Sequence, residues 1–116
     1  MTTRHNFVDM ADRPSNDQSK HDTVVQKIAE DLDEYHDYVR ADDIDEFRDP
    51  QIVNEHLPDI SVGVLPSTVI EVETDTSDDA GQRSAFKEWA DQKSFRTYKG
   101  VLVKSRSRWE EFEQRD

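Results

Sequence analysis

The sequence predicts a single α/β domain (α+β in the broad sense) in which a mixed central β-sheet is flanked by helices. Its 116 residues suit one domain with a modest core. Residues 58–74 show the apolar alternation typical of two short strands joined at Leu65-Pro66. Segments with apolar residues at helical spacing lie on either side of this hairpin, and such an arrangement favours a sheet covered by helices.

The composition indicates which parts of the chain belong to that domain. Hydrophobic residues make up 33% of the chain and charged residues 36%, so we expect part of it to lie outside the core. Residues 1–21 are polar with little periodicity and are predicted to form a disordered arm, and residues 22–116 are predicted to form the domain. The sequence contains neither a signal-peptide pattern nor an apolar run approaching the roughly 20 residues of a bilayer span. We therefore expect a soluble, cytoplasmic protein without membrane contact, and the absence of cysteine excludes disulfides and thiolate metal sites.

The first half of the domain is predicted to begin with a helix. Asp22 or Thr23 is a suitable N-cap for a helix that continues to about Arg40. Its apolar stripe comprises Val24, Ile28, Leu32, Tyr35 and Val39. The next stretch is predicted to contain a short strand with Ile44 and Phe47, and then one turn of helix over 52–57.

The second half is predicted to contain two helices around one strand. Ser77 or Asp78 caps a helix that ends near Lys93 and turns Gln82, Phe86 and Trp89 inward. A buried strand over 95–104 follows, with the continuous apolar run Val101-Leu102-Val103. A last helix is predicted from Ser105 or Ser107 to Gln114, with Trp109 and Phe112 on one side.

The second strand of the hairpin carries acidic residues on one of its faces. Side chains alternate along a strand, so Ile70 and Val72 share one face while Val69, Glu71 and Glu73 share the other. Neighbouring carboxylates repel, and Mg²⁺, which prefers oxygen ligands, would relieve that repulsion.

Asp59 begins the neighbouring strand and could reach the same ion. The alternative is that Glu71 and Glu73 face water on an exposed side of the sheet. On repulsion alone, Glu71→Ala or Asp59→Ala should leave stability unchanged or higher in metal-free buffer. Gln82 follows the loop after these acids, so it either contacts a phosphate or a sheet edge, or is a half-exposed polar residue of its helix.

Charge is distributed unevenly along the chain. The net charge is −12, yet residues 83–108 contain 8 basic and 2 acidic residues. Aspartate supplies 17 of the 27 acidic residues while lysine occurs 6 times, a bias that resembles proteins of halophilic archaea.

The predicted order of elements, with Pro58-Asp59, Glu71-Val72-Glu73 and Gln82 at their positions, resembles the αβββαβ core of the PD-(D/E)XK nuclease superfamily, the restriction-endonuclease-like fold. The resemblance implies that Asp59 and Glu71 bind Mg²⁺, or Mn²⁺, and that Glu73 occupies the usual Lys position. There Glu73 would bind metal or activate the attacking water. Gln82 with Phe86 is similar to the Gln-x-x-x-Tyr pattern of RecB-like members.

The activity that this resemblance implies is hydrolysis of DNA phosphodiester bonds. Asp59, Glu71, Glu73 and Gln82 would be the catalytic residues. Basic residues of the segment 83–108 would contact DNA phosphates, namely Arg83, Lys93, Arg96, Lys99 and Lys104. A core this small leaves little room for a recognition domain, so structure-directed cutting or a homodimer would fit.

Two other interpretations stay open at the level of sequence. In one, the nuclease fold is retained as a DNA-binding or protein-binding module, and Glu73 marks an inactive site. In the other, the chain is a small acidic α/β protein of a halophile without a metal site.

Overall fold

The computed structural model describes residues 15–74 and 80–115, with side chains described for 17–74 and 80–112. The helices of this part of the chain are α1 (Ser15–Asp33) and α2 (Ala80–Asp91). Its strands are β1 (Val39–Ala41), β2 (Ile60–Val62), β3 (Thr68–Glu73), β4 (Thr97–Ser105) and β5 (Arg108–Arg115).

The strands form one mixed sheet in the order β1-β2-β3-β4-β5. Antiparallel pairing joins β1 to β2, β2 to β3 and β4 to β5. Strands β3 and β4 are parallel, because the chain crosses from one to the other through α2. The predicted single α/β domain, with a mixed sheet and flanking helices, is therefore confirmed for the described residues.

The two helices pack on opposite faces of the sheet, as the alternation in β3 requires. On one face, Val24, Val25 and Ile28 of α1 pack in the same cluster as Ile70 and Val72. The other face buries a second cluster from α2, β3, β4 and the loop before β2, comprising Val53, Val69, Phe86, Trp89, Ala90 and Tyr98. Glu71 and Glu73 consequently lie on the α2 face. No helix among the described residues has the length and hydropathy to cross a bilayer.

Helix α1 differs from its prediction at both ends. It begins at Ser15, before the predicted cap, so the predicted arm of residues 1–21 is wrong for 15–21, while residues 1–14 lie outside the described residues. Gln18 and His21 are buried in this first part of the helix. A search for apolar residues at helical spacing misses them because both side chains are polar. The helix ends at Asp33, and Tyr38, with φ of 63°, turns the chain so that Val39 enters β1.

The predictions between α1 and the hairpin are also wrong. The first strand contains Val39–Ala41, and Ile44 with Phe47 packs on the core from the loop that follows. Residues 52–57 form no helical turn. Instead, Val53 and His56 bridge across a tight turn whose two central residues have positive φ.

Residues 108–115 form β5, so the predicted last helix is wrong. Trp109 and Phe112 have helical spacing, but β4 carries the buried run Val101-Leu102-Val103 and therefore requires a hydrogen-bonded neighbour on each side. Trp109 packs against the α1-side core. The ring of Phe112 lies over Gly100, where an added Cβ would approach the ring to 2.7 Å.

Candidate functional site

Asp59 and Glu71 meet at the end of the sheet where β2 begins and β3 ends. Ile60 is paired with Ile70, so the residues that flank this pair, Asp59 and Glu71, are neighbours across the two strands. Asp59 Oδ2 accepts a hydrogen bond from the backbone N–H of Val72 at 2.8 Å. Asp59 is 9% exposed and Glu71 7%, which excludes the alternative in which Glu71 faces water.

Each carboxyl of this acid pair is held by a side chain from a different helix. Gln82 Nε2 of α2 donates to Glu71 Oε1 at 2.5 Å. On the opposite face of the sheet, Nε2 of His21 in α1 lies 3.3 Å from Asp59 Oδ1. The acid pair is therefore fixed from both sides of the sheet, and Gln82, which is half-buried, contacts an acid of β3.

The two carboxyls have opposite pKa shifts. Burial raises the pKa of Glu71 well above its ordinary value, and the charge of Asp59 raises it further, whereas the hydrogen bond from Gln82 opposes both. At Asp59 burial alone would raise the pKa, but the charge and hydrogen bond of His21 and the N–H of Val72 bring it below its ordinary value. As the pH falls, Glu71 is therefore the carboxyl of the pair that binds a proton first, while Asp59 keeps its negative charge to lower pH.

Glu73 takes a different partner from the other two acids. It is 7% exposed, like Glu71, but its Oε1 lies 3.7 Å from Nη1 of Arg83, which follows Gln82 on α2. A buried carboxylate without a cation would be costly, so this ion pair explains how Glu73 is tolerated on the sheet. The structure thus brings Asp59 and Glu71 together and places Glu73 beside a guanidinium.

His21 was missed at the sequence level because it lies in the segment predicted to be a disordered arm. Its Nδ1 is 2.9 Å from Asp22 Oδ1, which also accepts a hydrogen bond of 2.9 Å from Nε2 of Gln18. Asp31, an acid of the first helix that could have joined the site, is exposed and lies about 15 Å further along α1 than His21. The available signal was the helical spacing of Gln18, His21 and Val25, which continues the inward stripe through polar residues.

The five predicted DNA contacts lie on different parts of the molecule. Arg83 pairs with Glu73, and Lys104 is exposed near the end of β4. Arg96 lies 4.8 Å over the ring of Trp89 and donates to the backbone carbonyl of that residue. Lys99 pairs with Glu111 and projects from the α1 face of the sheet, since it is the register partner of Ile70, while Lys93 is exposed after α2.

The donor set at the acid pair suits a hard divalent cation. Two carboxyls in contact at a buried position need either a shared proton or a positive ion, and burial together with the charge of Asp59 raises the pKa of Glu71 accordingly. Asp59, Glu71 and the backbone carbonyl of Val72 are the groups that could bind Mg²⁺ or Mn²⁺. Within the described residues, no group of three or more His, Cys, Asp or Glu side chains is arranged around one ion position. No family model, curated protein or solved structure matches the chain.

Proposed function

We propose that this chain is a metal-dependent nuclease that hydrolyses DNA phosphodiester bonds at Asp59 and Glu71. The observation that carries the proposal is the buried acid pair at a strand end, with one carboxyl bound by His21 and the other by Gln82. A fold gains little stability from two buried carboxyls in contact, so their presence favours a role in binding a cation.

In this proposal, the residues of the chain position the cation, the water and the phosphate. Asp59, fixed by the N–H of Val72, and Glu71, oriented by Gln82, would bind Mg²⁺ or Mn²⁺. When bound, such an ion polarises a phosphate and lowers the pKa of a coordinated water. Glu71 must release its proton before it can bind the ion, so binding strengthens as the pH rises.

Glu73 and Arg83 together would serve at the position where the superfamily carries Lys. Their ion pair holds a guanidinium beside the acid pair, where it can contact a phosphate oxygen. Glu73 therefore contributes mainly by positioning Arg83, although its carboxylate also remains on the face where a water would be activated.

Binding without hydrolysis is the second candidate function. The ion pair favours it, because a Glu73 engaged with Arg83 is a weaker base toward water than a free carboxylate. Both candidates predict that DNA binds, and they differ in whether DNA is cut.

The test is cleavage of labelled linear and branched DNA with Mg²⁺ or Mn²⁺. Wild type should cut, and Asp59→Asn and Glu71→Gln should each lose the activity while remaining folded. Glu34→Gln, which removes an exposed carboxylate of the loop after α1, is the matched control and should keep full activity. Equal cleavage by wild type and Glu71→Gln would refute the proposal, and binding of DNA without cleavage would favour the second candidate.

A further inference from the structure

The turn between β4 and β5 is unusually basic for this protein. Lys104-Ser105-Arg106-Ser107-Arg108 places three cations and no acid in five consecutive residues, whereas the chain has 27 acidic and 15 basic residues. All three basic side chains are exposed. The hairpin that carries them is closed by the pairing of Ser105 with Arg108, so their backbone positions are fixed.

These three cations are left without carboxylate partners among the residues that the structure describes. Arg106 donates to Ser19 Oγ at 2.9 Å, and its backbone carbonyl accepts from Lys27 Nζ at 2.7 Å. No ion pair in the described ranges includes Lys104, Arg106 or Arg108. In a protein with nearly twice as many acids as bases, an exposed cluster of cations without carboxylate partners favours an anionic partner.

The direction of the strands places this basic turn next to the acid pair. Val103 and Trp109 pack toward α1, so Arg108, which precedes Trp109 in β5, extends from the opposite face, which carries Glu73. The pairing of β4 with β5 is irregular between Val103 and Ser105, so alternation does not fix the direction of Lys104. Arg106 bonds to Ser19 of α1, two residues before His21, whose ring contacts Asp59. Leu102 is the register partner of Glu73. Lys104 therefore lies about 7 Å beyond Glu73 along the strand direction.

We infer that residues 104–108 form a surface that binds the phosphate backbone of duplex DNA and holds it across the acid pair. The inference rests on the proposed function for the position of the scissile bond, but the binding itself requires no catalysis. Arginine and lysine contact phosphate oxygens, and the two serine hydroxyls of the turn are further donors. In this inference, residues 104–108 make the DNA contacts that the sequence assigned in part to Lys99 and Arg96. Lys99 is paired with Glu111, and Arg96 lies over the ring of Trp89.

The experiment measures DNA binding in a Glu71→Gln background, so that cutting does not interfere. Fluorescence anisotropy with a labelled duplex, in EDTA, gives the dissociation constant over a series of salt concentrations. The test variant is K104Q/R106Q/R108Q. The control, R40Q/R48Q/K87Q, makes the same change in net charge at basic residues away from the turn.

We expect the test variant to flatten the plot of log K against log salt by up to about 2.7, because each phosphate contact contributes about 0.9 to the slope. The control should keep the parental slope. Since Arg106 also bonds to Ser19, K104Q/R108Q provides a second variant that leaves this contact intact, and it should lose about two thirds as much. Equal slopes and affinities for test and control variants would overturn the inference, as would failure of the parent to bind DNA.

The outcome for this surface is separable from the outcome for hydrolysis. If binding depends on residues 104–108 but wild type cuts no DNA with Mg²⁺ or Mn²⁺, the surface stands and the proposed hydrolysis fails. If wild type cuts DNA and the test variant binds and cuts as the control does, hydrolysis stands and this inference fails.

Discussion

Asp59→Ala and Glu71→Gln should change stability in opposite directions in metal-free buffer. Like-charge repulsion alone predicts that removing either acid leaves stability unchanged or higher. The two residues differ in their contacts, because Asp59 accepts hydrogen bonds from Val72 and His21 that lower its pKa, whereas burial and the charge of Asp59 raise the pKa of Glu71. Asp59→Ala should therefore destabilise the protein, and Glu71→Gln should stabilise it.

The magnitude for Asp59→Ala follows from the groups it would leave without partners. The buried N–H of Val72 loses its acceptor at 2.8 Å, and His21 loses a carboxylate at 3.3 Å. A buried donor without an acceptor costs about 1 to 3 kcal/mol, and removal of a buried charge offsets part of the total. We expect a net loss of about 2 kcal/mol, or a fall in Tm of about 8 °C. Asp59→Asn, which can still accept from Val72, should lose about half as much.

The pH dependence of these effects has a defined sign. The folded-state pKa of Asp59 lies below its ordinary 3.8, so its contribution is present above that pH and is lost as the pH falls through the folded-state pKa. The folded-state pKa of Glu71 lies well above 4.5, so wild type loses stability as the pH rises from 4.5 through that pKa. The gain in unfolding free energy from Glu71→Gln should therefore increase as the pH rises and should disappear near pH 4.5.

Urea denaturation in EDTA, followed by circular dichroism from about pH 2 to about pH 8, measures these differences. Salt concentration should be held constant, since this acidic protein changes stability with ionic strength. An Asp59→Ala variant as stable as wild type would refute the reasoning, because it would mean that Asp59 supports neither Val72 nor His21. A stability difference for Glu71→Gln that does not vary with pH would refute the assignment of the proton.

Three further predictions follow from the same contacts. Binding of Mn²⁺ should release a proton from Glu71, and calorimetry in two buffers of different ionisation enthalpy should detect it. Binding without proton release would contradict the pKa shift. Arg83→Gln should lower the unfolding free energy by about 1 to 2 kcal/mol because it leaves Glu73 buried without this cation, and adding Glu73→Gln should restore part of the loss in denaturation experiments. Gly63→Ala should cost about 1 to 2 kcal/mol by the same measurement, since φ is 108° and the added Cβ would lie 2.7 Å from the carbonyl oxygen of Leu65; an unchanged midpoint would mean that the turn relaxes freely.

The sequence by itself determined the parts of the site that depend on local periodicity. The two-residue repeat of β3 placed Glu71 and Glu73 on one face and Ile70 on the other, and the structure retains that division. The stripe of α2 likewise turned Phe86 and Gln82 toward the sheet. These features were predictable because a strand or helix fixes the relative directions of side chains only a few residues apart.

Only the tertiary structure decided which charged groups meet. His21 reaches Asp59 because α1 begins early and crosses the end of the sheet, and Arg83 reaches Glu73 because α2 packs over β3. Strand β5 depends likewise on the edge of β4 and not on its own spacing of aromatic residues. In each case the partners are distant in sequence, and their contact depends on how the whole sheet packs. The pattern of residues within a single segment carries no information about that packing.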